Sequence, residues 1–130
     1  MSIYESIGGE EALTVVVDDL YRRILADDVL NPYFVGLNVN KVKGRQVEFF
    51  GQALGGPMVY QGRAMKDVHL GLGIEQDHFD RVADHLGEAL LAAGVPKEII
   101  GEIAAIVLPL ADQIVAGRIT TETAETAAAE

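Results

Sequence analysis

Four stretches of this sequence carry apolar residues, often in adjacent pairs, that return every three or four positions, and each stretch is followed by glycine or proline. That recurrence lays one broad apolar stripe along a helix; it is not the two-residue alternation of a half-buried strand. The first stretch opens at Glu10-Glu11, which suit the positive end of a helix dipole. It continues through Ala12/Leu13, Val16/Val17, Leu20/Tyr21 and Ile24/Leu25 and stops at Asp27-Asp28 and Asn31-Pro32. The second is expected from about Lys41 to Leu54, with Asn40 as its cap. Its stripe reads Val42, position 46, Phe49/Phe50 and Ala53/Leu54 before Gly55-Gly56-Pro57. A third runs from about Glu75 to Ala93 on Phe79, Val82/Ala83, Leu86 and Leu90, and a fourth from about Lys97 to Ala116. Pro109 lies inside the fourth and should kink it, because proline removes a backbone donor and crowds the preceding turn. Residues 57–74 are glycine-rich and loop-like, with a short helical stretch around Met65–Leu70. The expected class is all-α. Residues 1–117 are expected to form one domain and 118–130 a flexible C-terminal tail.

Composition narrows the chemistry. At 130 residues with 49% hydrophobic content the chain has material for one core. It contains no cysteine, so disulfides, zinc–thiolate sites, iron–sulfur clusters and thiol catalysis are excluded. No apolar run approaches the ~18 residues of a membrane span. Met1-Ser2-Ile3-Tyr4-Glu5 shows no signal-peptide pattern, so the expected compartment is the cytoplasm. A net charge of −10 argues against a phosphate backbone or an anionic membrane surface as partner. Half of the ten basic residues nevertheless fall between positions 41 and 66: Lys41, Lys43, Arg45, Arg63 and Lys66. Such a patch on an acidic protein suits a small anionic ligand; a solvated helix start and loop would read the same way.

Hydrolytic chemistry finds no support. The serines are Ser2 and Ser6, with no G-x-S-x-G and no phosphate-binding G-x-x-x-x-G-K-[ST]. Asp18-Asp19 falls on a polar helix face. Of the histidines, His78 and His85 are seven apart on the third helix, a spacing that does not pair metal ligands, and each sits about 100° from the apolar stripe. They read as structural or surface residues. His69 stands in Val68-His69-Leu70-Gly71-Leu72-Gly73-Ile74. A lone imidazole among aliphatics either stays partly exposed or finds a partner. The glycines beside it admit a flat ligand, and a single histidine suffices for haem because the porphyrin supplies the in-plane ligands. Tyr21 and Gln46 interrupt two apolar stripes. They either satisfy each other or point together at a polar ligand in an apolar cavity.

The order and spacing of several short cues resemble the group I truncated haemoglobins, actinobacterial members in particular. They are Tyr4-Glu5-Ser6-Ile7-Gly8-Gly9, Val15-Val16-Val17-Asp18-Asp19-Leu20-Tyr21, Lys43-Gly44-Arg45-Gln46-Val47-Glu48-Phe49-Phe50, Leu54-Gly55-Gly56-Pro57, Tyr60-Gln61-Gly62 and Met65-Lys66-Asp67-Val68-His69. The resemblance implies a two-over-two helical sandwich around haem b, with the first globin helix cut to a stub. It makes His69 the proximal iron ligand and Tyr21 and Gln46 the distal donors to iron-bound dioxygen. Phe34 would stack on the haem, and Phe50 matches a residue at a gas tunnel. Val42, Phe49, Met65, Phe79 and Val82 would wall the cofactor, and Arg45 and Lys66 would meet its propionates. The implied function is reversible dioxygen binding at a five-coordinate iron. The alternative is nitric oxide dioxygenation to nitrate, which needs an electron-donating reductase. Nitric oxide and carbon monoxide are further ligands of such a site. A cofactor-free helical adaptor would leave Tyr21, Gln46 and the basic patch unexplained.

Overall fold

The computed structural model describes residues 1–62, 69 and 72–115, and every regular element among them is helical. The domain boundary expected at 117, the tail at 118–130 and most of the short helix expected near 65–70 lie outside the described residues. His69 itself is helical.

A short helix, α1 (Ile3–Ile7), was not legible from periodicity because it is barely one turn long. Its start is nonetheless well specified. The Ser2 hydroxyl accepts from the Glu5 N–H at 3.1 Å while the Glu5 carboxylate accepts from the Ser2 N–H, a reciprocal cap. Gly8, at φ 116°, closes α1 in the left-handed region and starts α2 (Gly9–Leu25) in a new direction. Leu13, Val16, Val17, Leu20, Tyr21 and Ile24 are buried along α2 at spacings of one, three and four; of the expected stripe, Ala12 is half-buried and Leu25 is exposed at the helix end.

After a 3-10 turn at Asn31–Phe34 comes α3 (Val39–Ala53). Its cap is Asn38 and not Asn40. The Asn38 side chain accepts from the Lys41 N–H at 3.2 Å on an extended backbone, whereas Asn40 already lies in the first turn. Gly55 (φ 90°) and Gly56 then fold the chain back against α1. A Cβ on Gly56 would come within 2.7 Å of the Tyr4 ring and 2.9 Å of the Gly51 carbonyl, and the Tyr4 N–H bonds the Leu54 carbonyl at 2.9 Å.

The third long helix is α4 (Gln76–Ala92). The fourth expected helix is not continuous: α5 (Lys97–Val107) passes into a 3-10 turn at Leu108–Leu110 and then α6 (Ala111–Ile114). Pro109 explains the break, since it supplies no N–H to the α ladder and the tighter turn needs none there. Helix α2 packs on α3 and α4, α4 on α5, and α1 reaches both α2 and α5. Two helical pairs therefore face each other across the middle of the molecule.

One polar clasp ties the α2 end of this stack to α4. The Asp27 carboxylate, 6% exposed, accepts two hydrogen bonds from Arg81 (2.8 and 3.0 Å) and faces His85 Nε2 at 2.8 Å. It also accepts from the Val29 N–H at 2.9 Å. Arg81 first, then His85, hold this carboxyl far below the usual carboxylate range, against the opposing effect of desolvation. A depressed folded-state pKa means stability that is complete above the unfolded value of about 3.9 and is lost as pH falls towards the folded one. Asp27→Asn should therefore lower the urea midpoint at pH 6. The gap to the unaltered protein should narrow as pH drops below about 4, where the unfolded chain's carboxyl takes up a proton that the native one does not yet accept. A gap independent of pH would mean that the clasp acts through shape alone.

Candidate functional site

A cavity of about 640 Å³ remains between the two helical pairs, within the range of roughly 300–1,000 Å³ typical of small-molecule sites. Of the expected site residues, Tyr21, Phe34, Val42, Arg45, Gln46, Phe49, Phe50, His69, Phe79 and Val82 all line it. Met65 and Lys66 lie outside the described residues. The wall is mainly aliphatic and aromatic, with aromatic edges locked together. Tyr21 meets Phe34 edge-on at 5.7 Å, and Phe49 meets Phe50 at 5.9 Å and Tyr60 at 5.4 Å.

Two helices deliver polar donors into this wall. Tyr21, 6% exposed, comes from the buried stripe of α2. Burial pushes its hydroxyl pKa well above the ordinary value, so it stays protonated. Gln46, half-buried, comes from the matching stripe of α3. The two do not satisfy each other: neither side chain makes a hydrogen bond to a described residue. The Tyr21 hydroxyl therefore faces the cavity free to donate to an occupant.

His69 reaches the same cavity from the segment preceding α4, and its carbonyl accepts from the Leu72 N–H at 3.2 Å. Among the described residues no group of three histidines, aspartates or glutamates could hold a metal ion. Two imidazoles line the cavity, His69 and His78; His78 engages the Tyr33 hydroxyl through Nδ1 at 2.6 Å and faces Glu75 through Nε2 at 3.5 Å, which leaves His69 as the candidate ligand for a metal that brings other ligands of its own.

The basic patch divides. Lys41 and Arg45, one turn apart on α3, line the cavity. Lys43 does not: it points back to α2 and pairs with Asp18 at 3.0 Å. Arg45 spends one nitrogen on Glu48 at 3.1 Å, and Glu48 also accepts from the Gln61 N–H at 3.0 Å. Gln61 and, secondarily, Arg45 lower the Glu48 carboxyl below its ordinary pKa, outweighing desolvation between them.

Some lining residues were missed in the sequence. Lys41 is one; the four-residue step from Arg45 was its available signal. Tyr33 and His78 are others. His78, read from the sequence as a flank or surface residue, is 22% exposed, lines the cavity and holds the Tyr33 hydroxyl at 2.6 Å. Only folding reveals that pair, because its members stand 45 positions apart. His85 takes the structural role expected, in the Asp27 clasp.

The family model for bacterial-like globins matches residues 2–116. The chain is 55% identical over 116 residues to a group 1 truncated haemoglobin of Mycolicibacterium paratuberculosis, covering 89% of this chain and 85% of that one. The chain belongs to the group I truncated haemoglobins. A further group 1 relative, from Synechocystis, is 37% identical over 109 residues, with 81% and 88% covered. The fold agrees with the ferric crystal structure of truncated haemoglobin from Tetrahymena pyriformis: TM-score 0.86, 29% identity, 89% of this chain and 99% of that one covered. A structure of the 2/2 haemoglobin from Synechococcus with covalently attached haem gives TM-score 0.78 at 33% identity, covering 82% and 90%. These globins are haem-iron proteins that bind gases, and an apolar cavity with a histidine to offer the iron fits that cofactor. No helix among the described residues is long and apolar enough to cross a membrane.

His69→Ala should remove the candidate iron ligand, so the purified protein should lose most of its Soret absorption or shed haem rapidly to an acceptor globin. His85→Ala, at the distant clasp, should leave the spectrum unchanged. Retention of a native spectrum by His69→Ala would move the iron ligand elsewhere.

Proposed function

We propose that this chain holds haem b through His69 and binds dioxygen reversibly, with Tyr21 and Gln46 as the donors that retain it. The observation that carries this reading is the hydroxyl of the buried Tyr21: protonated, without a hydrogen-bond partner among the described residues, and at the edge of an apolar cavity. Haem supplies the iron at which the gas binds and the polarisation that places negative charge on dioxygen. The chain supplies the rest. Apolar walls from Phe34, Phe49, Phe50 and Phe79 keep water away, which strengthens any hydrogen bond made inside. Tyr21 donates through O–H and Gln46 through its amide N–H, each to an acceptor that the described residues do not provide. Arg45 and Lys41 at the same cavity are suited to the carboxylate side of the cofactor. An exposed pair of that kind contributes only about 0–1 kcal/mol and is screened by salt.

The size of the donor effect follows from hydrogen-bond energetics. A neutral bond nets about 0.5–1.5 kcal/mol and one to a charged acceptor about 1.5–3. Polarised dioxygen lies between these cases. Tyr21→Phe should then raise the dioxygen dissociation rate by roughly 10- to 100-fold, at 1.4 kcal/mol per factor of ten. Carbon monoxide, which is less polarised, should respond much less. Gln46→Leu should act in the same direction but more weakly, because the half-buried amide competes with water. Stopped-flow dissociation of both gases from both variants tests this. Equal changes for dioxygen and carbon monoxide would mean that an access path was altered and not a hydrogen bond.

A further inference from the structure

Beside the dioxygen donors the cavity carries a second polar arrangement that gas binding does not use. Tyr33, in the 3-10 turn, and His78, near the start of α4, both line the cavity. The Tyr33 hydroxyl donates to His78 Nδ1 at 2.6 Å, and the two rings meet edge-on at 5.5 Å. His78 Nε2 lies 3.5 Å from the Glu75 carboxylate, whose side chain is 75% exposed. An acid facing Nε2 favours the tautomer with its proton there and leaves Nδ1 bare to accept from the phenol. A cavity-facing phenol, a half-buried base and a solvated carboxylate thus stand in sequence from the cavity to the surface.

A phenol gives up an electron easily only if its proton leaves at the same time, because the phenol cation formed otherwise is a very strong acid. A base already bonded to the hydroxyl meets that requirement. Tyr21 lines the same cavity with no base among the described residues on its hydroxyl, which suits a permanent donor and not an electron source. Desolvation and the Glu75 charge raise the Tyr33 pKa, so the group rests as a neutral phenol and has a proton to deliver.

We propose that Tyr33 is an electron-donor station for the cofactor, its proton passing to His78, and that the holoprotein thereby reduces hydrogen peroxide at the expense of small phenolic reductants. The proposal rests on the haem reading given above. In each turn the Tyr33 O–H bond breaks, an N–H bond forms at His78 Nδ1, and one electron goes to the cofactor, leaving a neutral tyrosyl. A phenolic reductant returns the electron to Tyr33, His78 returns the proton, and the proton of the reductant goes to water. Two turns supply the two electrons that, with two protons, convert hydrogen peroxide to two water molecules; two reductant molecules are each oxidised by one electron. Tyr33 is half-buried, so a reductant can approach it from solvent.

Freeze-quenched ferric holoprotein, mixed with one equivalent of hydrogen peroxide and no reductant, should show a tyrosyl signal by electron paramagnetic resonance. Nitroso spin trapping and peptide mapping of the unaltered chain should place the adduct on Tyr33. Tyr33→Phe should abolish that signal while the Soret band and carbon monoxide binding stay intact. His78→Gln keeps a hydrogen-bond acceptor but removes the base. It should slow the appearance of the signal by roughly 100-fold or more, the usual worth of a positioned base. A normal Soret band with a trapped adduct on Tyr4, Tyr21 or Tyr60, or a signal indifferent to both variants, overturns this proposal and leaves the haem reading standing. A protein that binds no haem overturns both.

Discussion

The helices of this chain do not close on one another. Protein interiors pack as densely as organic crystals, yet about 640 Å³ stays open between the α2/α3 and α4/α5 pairs. The walls of that space are the residues that would otherwise form the centre of a core: Ile24 and Tyr21 on α2, Phe49 and Phe50 on α3, Phe79 and Leu86 on α4, Val107 on α5. A core built around a gap needs something rigid and largely apolar to fill it, and the positions of the polar groups follow from that. Tyr21 and Gln46 come from two helices, His69 from the segment before α4, and Lys41 and Arg45 from the beginning and middle of α3. Each is a departure from an otherwise apolar wall, and the proposed cofactor, with its metal centre and charged edge, would give each of them a use.

Much of this was legible in the sequence because helical periodicity maps position onto face. Gln46 stood out as the polar member of an apolar stripe, and Tyr21 as the hydroxyl on another. Both lie on the wall that the periodicity indicated. The helix ends were less legible. Asn38 and Asn40 are chemically equal as caps, and which one serves depends on where the backbone leaves the 3-10 turn, set by Leu37 and Phe34 joining through a backbone bond of 3.1 Å. α1 escaped notice because a single turn has no period. The break at Pro109 is expected from the sequence as a kink, and it takes the form of a 3-10 turn at Leu108–Leu110.

Long-range polar pairs were not legible at all. Tyr33 with His78, Asp27 with Arg81 and His85, and Lys43 with Asp18 are separated by tens of positions or join different helices. Nothing in local spacing announces them. His78 shows why: from the helical wheel alone it belongs to the flank of α4, and it becomes a cavity residue because the turn carrying Tyr33 and Phe34 leans over that flank. Lys43 shows the reverse. It sits in the basic run of the sequence, yet one step around α3 from Val42 takes it out of the cavity to an acid on α2.

The central claim is that the cavity is a cofactor site on which the fold depends, and comparing the heat unfolding of apoprotein and holoprotein tests it most directly. A ligand that binds only the native state stabilises it by mass action, about 2.7 kcal/mol when its free concentration is a hundred times Kd. The account predicts an apoprotein with a low, broad transition, and a single equivalent of haemin should restore a sharp transition at higher temperature. An apoprotein that melts as high and as cooperatively as the holoprotein would show that the helices fill their own core, and would contradict the account.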